Sequence, residues 1–151
     1  MDGLAATVGI YAATLIVGVV SGLVPVINGE LYLISAVIIT YDPMTGIVLA
    51  VLLAIGQMIA KVVLYQAARR AGDAGHGRFH AKIERARAKV AQWRDKPLAL
   101  TFVSSIVGLP PFYLVTLVAG IVKVRFFTFL WLGLVGRTIR FLAIALVVCY
   151  A

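Results

Sequence analysis

The chain has 151 residues, 62% of them hydrophobic and 13% charged, and carries a net charge of +8. A mean hydropathy of +1.03 over so short a chain argues against two soluble domains and for one compact helical membrane unit. The single cysteine, Cys149, excludes an intrachain disulfide and says nothing of redox compartment.

The first apolar segment, Leu4 to Val20, begins after Asp2 and has no basic region before it, so it reads as mature structure and not as a signal peptide. It runs into a helix-breaking stretch, Gly22-Leu23-Val24-Pro25-Val26-Ile27-Asn28-Gly29, followed at once by Glu30, the only carboxylate deep in a hydrophobic region. Irregular backbone and an ionisable group at membrane depth are both costly, and persist where they are buried in protein or line a wet cavity. Pro25, Gly29 and Glu30 therefore predict a re-entrant hairpin carrying a functional acid. The short apolar stretch Leu31 to Thr40 and the turn Tyr41-Asp42-Pro43 lead into a long apolar helix expected from Met44 to about Tyr65. Gln57 and Lys61 in this helix are candidate cavity-lining residues. Gln57 would serve equally in helix packing, and Lys61, one turn from the expected helix end, is expected to snorkel to the headgroups.

Nine of the fourteen Lys and Arg residues fall between Arg69 and Lys96, so the segment 67–97 is expected to be cytoplasmic by the positive-inside rule. Within it Phe79, Ile83, Ala86, Val90 and Trp93 recur at steps of three and four. This predicts a basic amphipathic helix on the inner leaflet, with a plain solvated helical loop as the alternative. The basic run is flanked by membrane helices and needs no nucleic-acid ligand. His76 and His80 have no cysteine partner and sit beside Gly75 and Gly77, so no metal is expected there.

The second half repeats the layout of the first. Gly108, Pro110 and Pro111 supply the break, Phe112 to Val122 the short stretch, Lys123 to Arg125 the turn, and a long helix starts at Phe126. Each short stretch covers about 15 Å, half of an approximately 30 Å hydrocarbon core. The expected fold is an all-α integral membrane protein, one membrane domain over 1–151. It comprises a first half, 1–66, and a second half, 98–151, as inverted repeats of a re-entrant hairpin plus a transmembrane helix. Both chain ends are then outside; ordinary kinked spanning helices are the competing architecture.

Arg137 and Arg140 lie about 16 to 21 Å along the last helix and, three residues apart, share one face. One acid, Glu30, cannot neutralise both, which points to an anionic substrate group. The planar guanidinium fork suits a phosphate. The alternative is snorkelling, or a structural cluster with Glu30. Ser104 and Ser105 lack an accompanying His or Asp, and no Gly-rich phosphate loop, HExxH or CxxC occurs, so the chain is not expected to be an enzyme or to hold a cofactor.

Pro25 and Glu30 at the first break, Gly56 and Tyr65-Gln66-Ala67-Ala68-Arg69 closing the next helix, and Gly108-Leu109-Pro110-Pro111-Phe112 through Ala119-Gly120, Phe126-Phe127-Thr128-Phe129 and Gly136-Arg137 form a familiar pattern. From about residue 15 to 148 the chain resembles the DedA family of bacterial membrane proteins, also called the VTT or SNARE-associated domain. The resemblance implies two opposed re-entrant hairpins and lipid translocation at the inner (plasma) membrane. Undecaprenyl phosphate recycling is the leading activity, and coupling to a proton or sodium ion is the associated mechanism. Glu30 carries over from the family pattern. Longer members have a second acidic residue about where Lys61 stands, and an arginine pair around the second hairpin proline, where this chain has Ser105 and Pro111. Arg137 and Arg140 would replace that pair. The leading expectation is thus a multi-pass flippase or scramblase for an anionic lipid, undecaprenyl phosphate or a phospholipid, with Glu30 as a protonatable gate and the arginines on the phosphate. Homo-oligomerisation is left open. A small multidrug-type exporter using the membrane glutamate, or an assembly protein without a transport cycle, are the alternatives.

Overall fold

The computed structural model describes residues 2–24, 26–74, 77, 80–82, 84, 85, 88, 96–107 and 112–151. Among these the fold is helical without strands, in α1 (Asp2–Leu23), α2 (Gly29–Thr40), α3 (Pro43–Ala74), α4 (Lys96–Val107), α5 (Phe112–Ile121) and α6 (Phe126–Tyr150). The breaks expected at Pro25, Gly108, Pro110 and Pro111, the apolar face from Phe79 to Trp93, and His76 lie outside the described residues. Three of the helices, α1, α3 and α6, are long and apolar enough to cross a membrane.

The helix boundaries follow from local chemistry. The Asn28 side chain caps α2, its Oδ1 accepting from the backbone N–H of Glu30 at 2.9 Å and of Leu31 at 3.3 Å. Tyr41 ends α2 in the left-handed region, φ 51°, and donates its N–H to the Val37 carbonyl at 3.0 Å. Asp42 then caps α3, accepting from the Thr45 N–H at 3.0 Å and the Thr45 hydroxyl at 2.6 Å, with Pro43 in the first helical position, where its missing N–H costs nothing. The turn predicted at Tyr41-Asp42-Pro43 is therefore present. The expected end of α3 near Tyr65 is not: the helix runs to Ala74. Gln66, Ala67, Ala68, Arg69 and Arg70 are all good helix formers and carry it on past the end of the apolar run. At 32 residues α3 is about 48 Å long, more than the approximately 30 Å of a hydrocarbon core.

The chain forms two compact units, one of residues 1–60 with 137–151 and one of 61–136. In the first, α1 and α2 fold into a helical hairpin and α1 packs along α3. Gly18 meets Gly56, and Gly22 meets Ala60 and Gln57, so the two helices run in the same direction. The pairs are small residues four apart on each helix, Gly18 with Gly22 and Gly56 with Ala60, a pattern that lets membrane helices approach backbone to backbone. A Cβ on Gly56 would stand 2.5 Å from the Leu15 carbonyl oxygen and 2.9 Å from the Gly18 Cα. The returning α2 is fixed by the Tyr32 hydroxyl on Thr14 Oγ1, 2.9 Å. Leu33, Leu49, Leu53 and Phe141, all fully buried, join α2, α3 and α6 in one core.

In the second unit Tyr65 is the hub. Its ring stacks on Phe129, with centroids 5.0 Å apart, and its hydroxyl donates to the Val124 carbonyl. Gly120 lies directly against the Tyr65 carbonyl and Ala68, which brings the end of α5 onto α3. The expected turn at Lys123 to Arg125 is present, with Lys123 at φ 57° and its ammonium 2.9 Å from Asp73.

Candidate functional site

The α1–α2 hairpin turns beside the middle of α3. Gly29, the first residue of α2, lies against the Gln57 amide and Ser21: a Cβ there would stand 2.9 Å from Gln57 Nε2 and 2.9 Å from Ser21 Oγ. Gln57 Nε2 donates to Ser21 Oγ at 3.1 Å, and that hydroxyl donates in turn to the Gly18 carbonyl at 3.1 Å. The absence of a side chain at Gly29 is thus what lets the capped start of α2, with Glu30, settle against this polar pair. Gln57 was expected to line a cavity or to pack helices; it packs against the hairpin.

Glu30 is the next residue, in the first turn of α2, where a carboxylate is favoured by the helix dipole. Its Oε1 accepts from both Arg140 Nε and Arg140 Nη2, each at 2.5 Å. The pair is half-buried, Glu30 retaining 31% and Arg140 23% of side-chain exposure. Arg137 follows three residues earlier on α6, half-buried, its guanidinium 6.0 Å from the centre of the Phe141 ring. The structure thus brings together Glu30, Arg140 and the Gln57–Ser21 pair around one hairpin tip, with Arg137 on the same helix as Arg140. One carboxylate and two guanidinium groups lie on two neighbouring helices of the first unit.

Lys61 belongs to the second unit and does not reach a helix end. It stands thirteen positions before Ala74, is 4% exposed, and holds its ammonium 5.0 Å from the Tyr113 ring centre and 6.0 Å from that of Phe112. The expectation that it snorkels fails because α3 is longer than its apolar run. Ser104 and Ser105 are fully buried, and Ser105 Oγ donates to the Phe102 carbonyl at 2.7 Å, the back-bond of a packed helical serine. Among the described residues no group of His, Cys, Asp and Glu is placed to hold a metal ion.

Sequence reasoning missed Ser21, and it missed the two small-residue pairs that seat α1 against α3. Their signal was present as Gly18-x-x-x-Gly22 and Gly56-x-x-x-Ala60.

A helical fold with three apolar helices of spanning length and an ionised cluster midway along one of them defines an α-helical membrane protein. Its family is shown by a family model: the VTT domain, the DedA or SNARE-associated domain, matches residues 24–149, and the chain belongs to that family. Comparison with curated proteins and with solved structures found no match.

Proposed function

We propose that the protein moves an anionic lipid between membrane leaflets, as a flippase or scramblase, with Arg137 and Arg140 receiving the lipid phosphate and Glu30 acting as the gate. The observation that carries this reading is the placement of charge: two guanidinium groups, one of them forked onto a single carboxylate, lie about 15 to 21 Å from either end of α6, at a depth where ionisable groups mark a substrate or ion path. Arg140 offers Nε and Nη2 side by side, the fork that matches a phosphate as well as it matches the carboxylate now held there. Gate and substrate then compete for one guanidinium.

The hairpin geometry supports the same reading. The α1–α2 turn lies beside Gln57, about 21 Å along α3 at 1.5 Å per residue, so α1 and α2 form a re-entrant pair that enters and leaves by one membrane face. The α4–α5 hairpin is the inverted counterpart entering from the other face, the basic segment 67–97 is cytoplasmic, and the membrane is the inner (plasma) membrane. Undecaprenyl phosphate is the leading substrate, a phospholipid the second, with a proton or sodium ion as coupling partner. The protein carries no enzymatic step and needs no cofactor.

The test is Arg137→Lys, which keeps the charge and loses the fork. Loss of one charge-assisted hydrogen bond costs about 1.5 to 3 kcal/mol, roughly tenfold or more in affinity for a polyprenyl phosphate, with Arg137→Ala weaker still. Wild-type lipid affinity in a folded Arg137→Ala protein would refute the phosphate site.

A further inference from the structure

Gln57 is a glutamine at membrane depth, 7% exposed, and only half of its amide is used. Its Nε2 donates to Ser21, whereas its Oε1 is fully buried and accepts from nothing. A buried carbonyl oxygen of this kind is a hydrogen-bond acceptor awaiting a donor. Helix α2 begins against this amide, and the first side chain it carries past Gly29 is Glu30.

We propose that Gln57 Oε1 is the acceptor for the protonated form of Glu30, a second seat that the carboxyl group takes when it leaves Arg140. The inference rests on the reading that a lipid phosphate claims Arg140. Once it does, an ionised Glu30 would face the phosphate as a like charge, which favours its neutral form. The carboxylate takes one proton from hydronium, leaving a water molecule and a neutral carboxyl whose O–H needs an acceptor. The Gln57 amide, packed against Gly29, the residue preceding Glu30, supplies one.

The surroundings of Glu30 fit a two-position carboxyl. From α6 it meets Arg140, with Arg137 three residues earlier; α1 presents Ser21 and α3 presents Gln57, neither of which titrates. Helix α2 carries no other charged residue. The ionised form has its partner on α6 and the neutral form has its partner on α3. Gln57 is a positioning residue, since it would act on the gate and not on the substrate.

Infrared difference spectroscopy of the whole protein in lipid nanodiscs tests the assignment. Acidification should produce a carboxylic C=O band that Glu30→Gln abolishes. In Gln57→Met that band should move to higher wavenumber, because the O–H has lost its acceptor. An unmoved band in folded Gln57→Met overturns the proposal. If that variant does not fold, the wild type labelled with 13C at the glutamine side-chain carbonyl serves instead. The Gln57 resonance should shift on acidification in the wild type and stay fixed in Glu30→Gln, and a fixed resonance in both overturns the proposal. Farnesyl phosphate added at constant pH should elicit the same band with uptake of a proton. A Gln57-dependent band produced by acid and never by farnesyl phosphate upholds the second seat and overturns the phosphate reading.

Discussion

The strongest test of how the charged cluster is wired is a pair of double-mutant cycles on Glu30, one with Arg140 and one with Arg137. Arg140 places two donors on a single carboxylate oxygen at 2.5 Å, whereas Arg137 sits three residues earlier with its guanidinium toward Phe141. Charge-assisted hydrogen bonds contribute about 1.5 to 3 kcal/mol when shielded from water, and exposed ion pairs about 0.2 to 1 kcal/mol. With 23% and 31% of the side chains exposed, the Glu30–Arg140 pair falls between these limits, and a coupling of about 1 to 2 kcal/mol is expected from Glu30→Gln and Arg140→Gln. The Glu30–Arg137 coupling should be smaller by about 1 kcal/mol, since it lacks the shared hydrogen bonds. Reversible unfolding in mixed micelles of mild detergent and dodecyl sulfate, followed by circular dichroism, gives the four stabilities of each cycle. Equal couplings, or a larger one for Arg137, would refute the pairing and with it the proposed competition between Glu30 and a lipid phosphate for Arg140.

Two further outcomes follow from packing and capping. Gly56→Ala should destabilise the first unit although alanine is the better helix former by about 1 kcal/mol, because the new methyl meets backbone of α1 and overpacking costs about 1 to 3 kcal/mol. Gly9→Ala, with nothing within 4 Å, should stabilise α1, and the same unfolding assay reads the opposite signs. At the other helix start, the hydroxyl and then the N–H of Thr45 hold the Asp42 carboxyl below its ordinary range. A lowered pKa means that the cap stabilises the fold at and above an ordinary carboxylate pKa of about 3.9 and is lost as pH falls through the lowered value. The melting temperature of Asp42→Ala should therefore lie below that of the wild type at neutral pH, and the gap should close in strong acid; a gap independent of pH would refute the cap.

The membrane character, the two turns and the residues of the charged cluster were legible because each is written locally: a long apolar run, a proline after an aspartate, a carboxylate among aliphatics. What the sequence withheld is relational. Arg137 and Arg140 share a helix face by spacing, and only the placement of α2 against α6 decides that Arg140 takes Glu30. The burial of Lys61 was misread because hydropathy stops at Tyr65 while helix propensity runs on to Ala74. Gln57 was ambiguous for a similar reason, since its role depends on a glycine at position 29 that leaves room for its amide. The small-residue pairs of α1 and α3 were readable in principle. Each glycine looks like an ordinary membrane-helix residue until the second pair, nearly forty positions away, is laid beside it.

The contact of Gly18 with Gly56 also sets a timetable for making the protein. Helix α1 leaves the ribosome well before the helix that completes its packing, and at about 5 to 20 residues per second the delay between the two glycines is roughly 2 to 8 s. During that interval the early hairpin has no neighbour to shield its polar tip, with Asn28 and Glu30 at the turn. A nascent α1–α2 pair would therefore wait at the insertion machinery or at the headgroup layer, and commit to its depth only when α3 arrives. Slowed translation downstream of Glu30 would lengthen this vulnerable stage, and it is there that membrane-protein quality control would meet the chain.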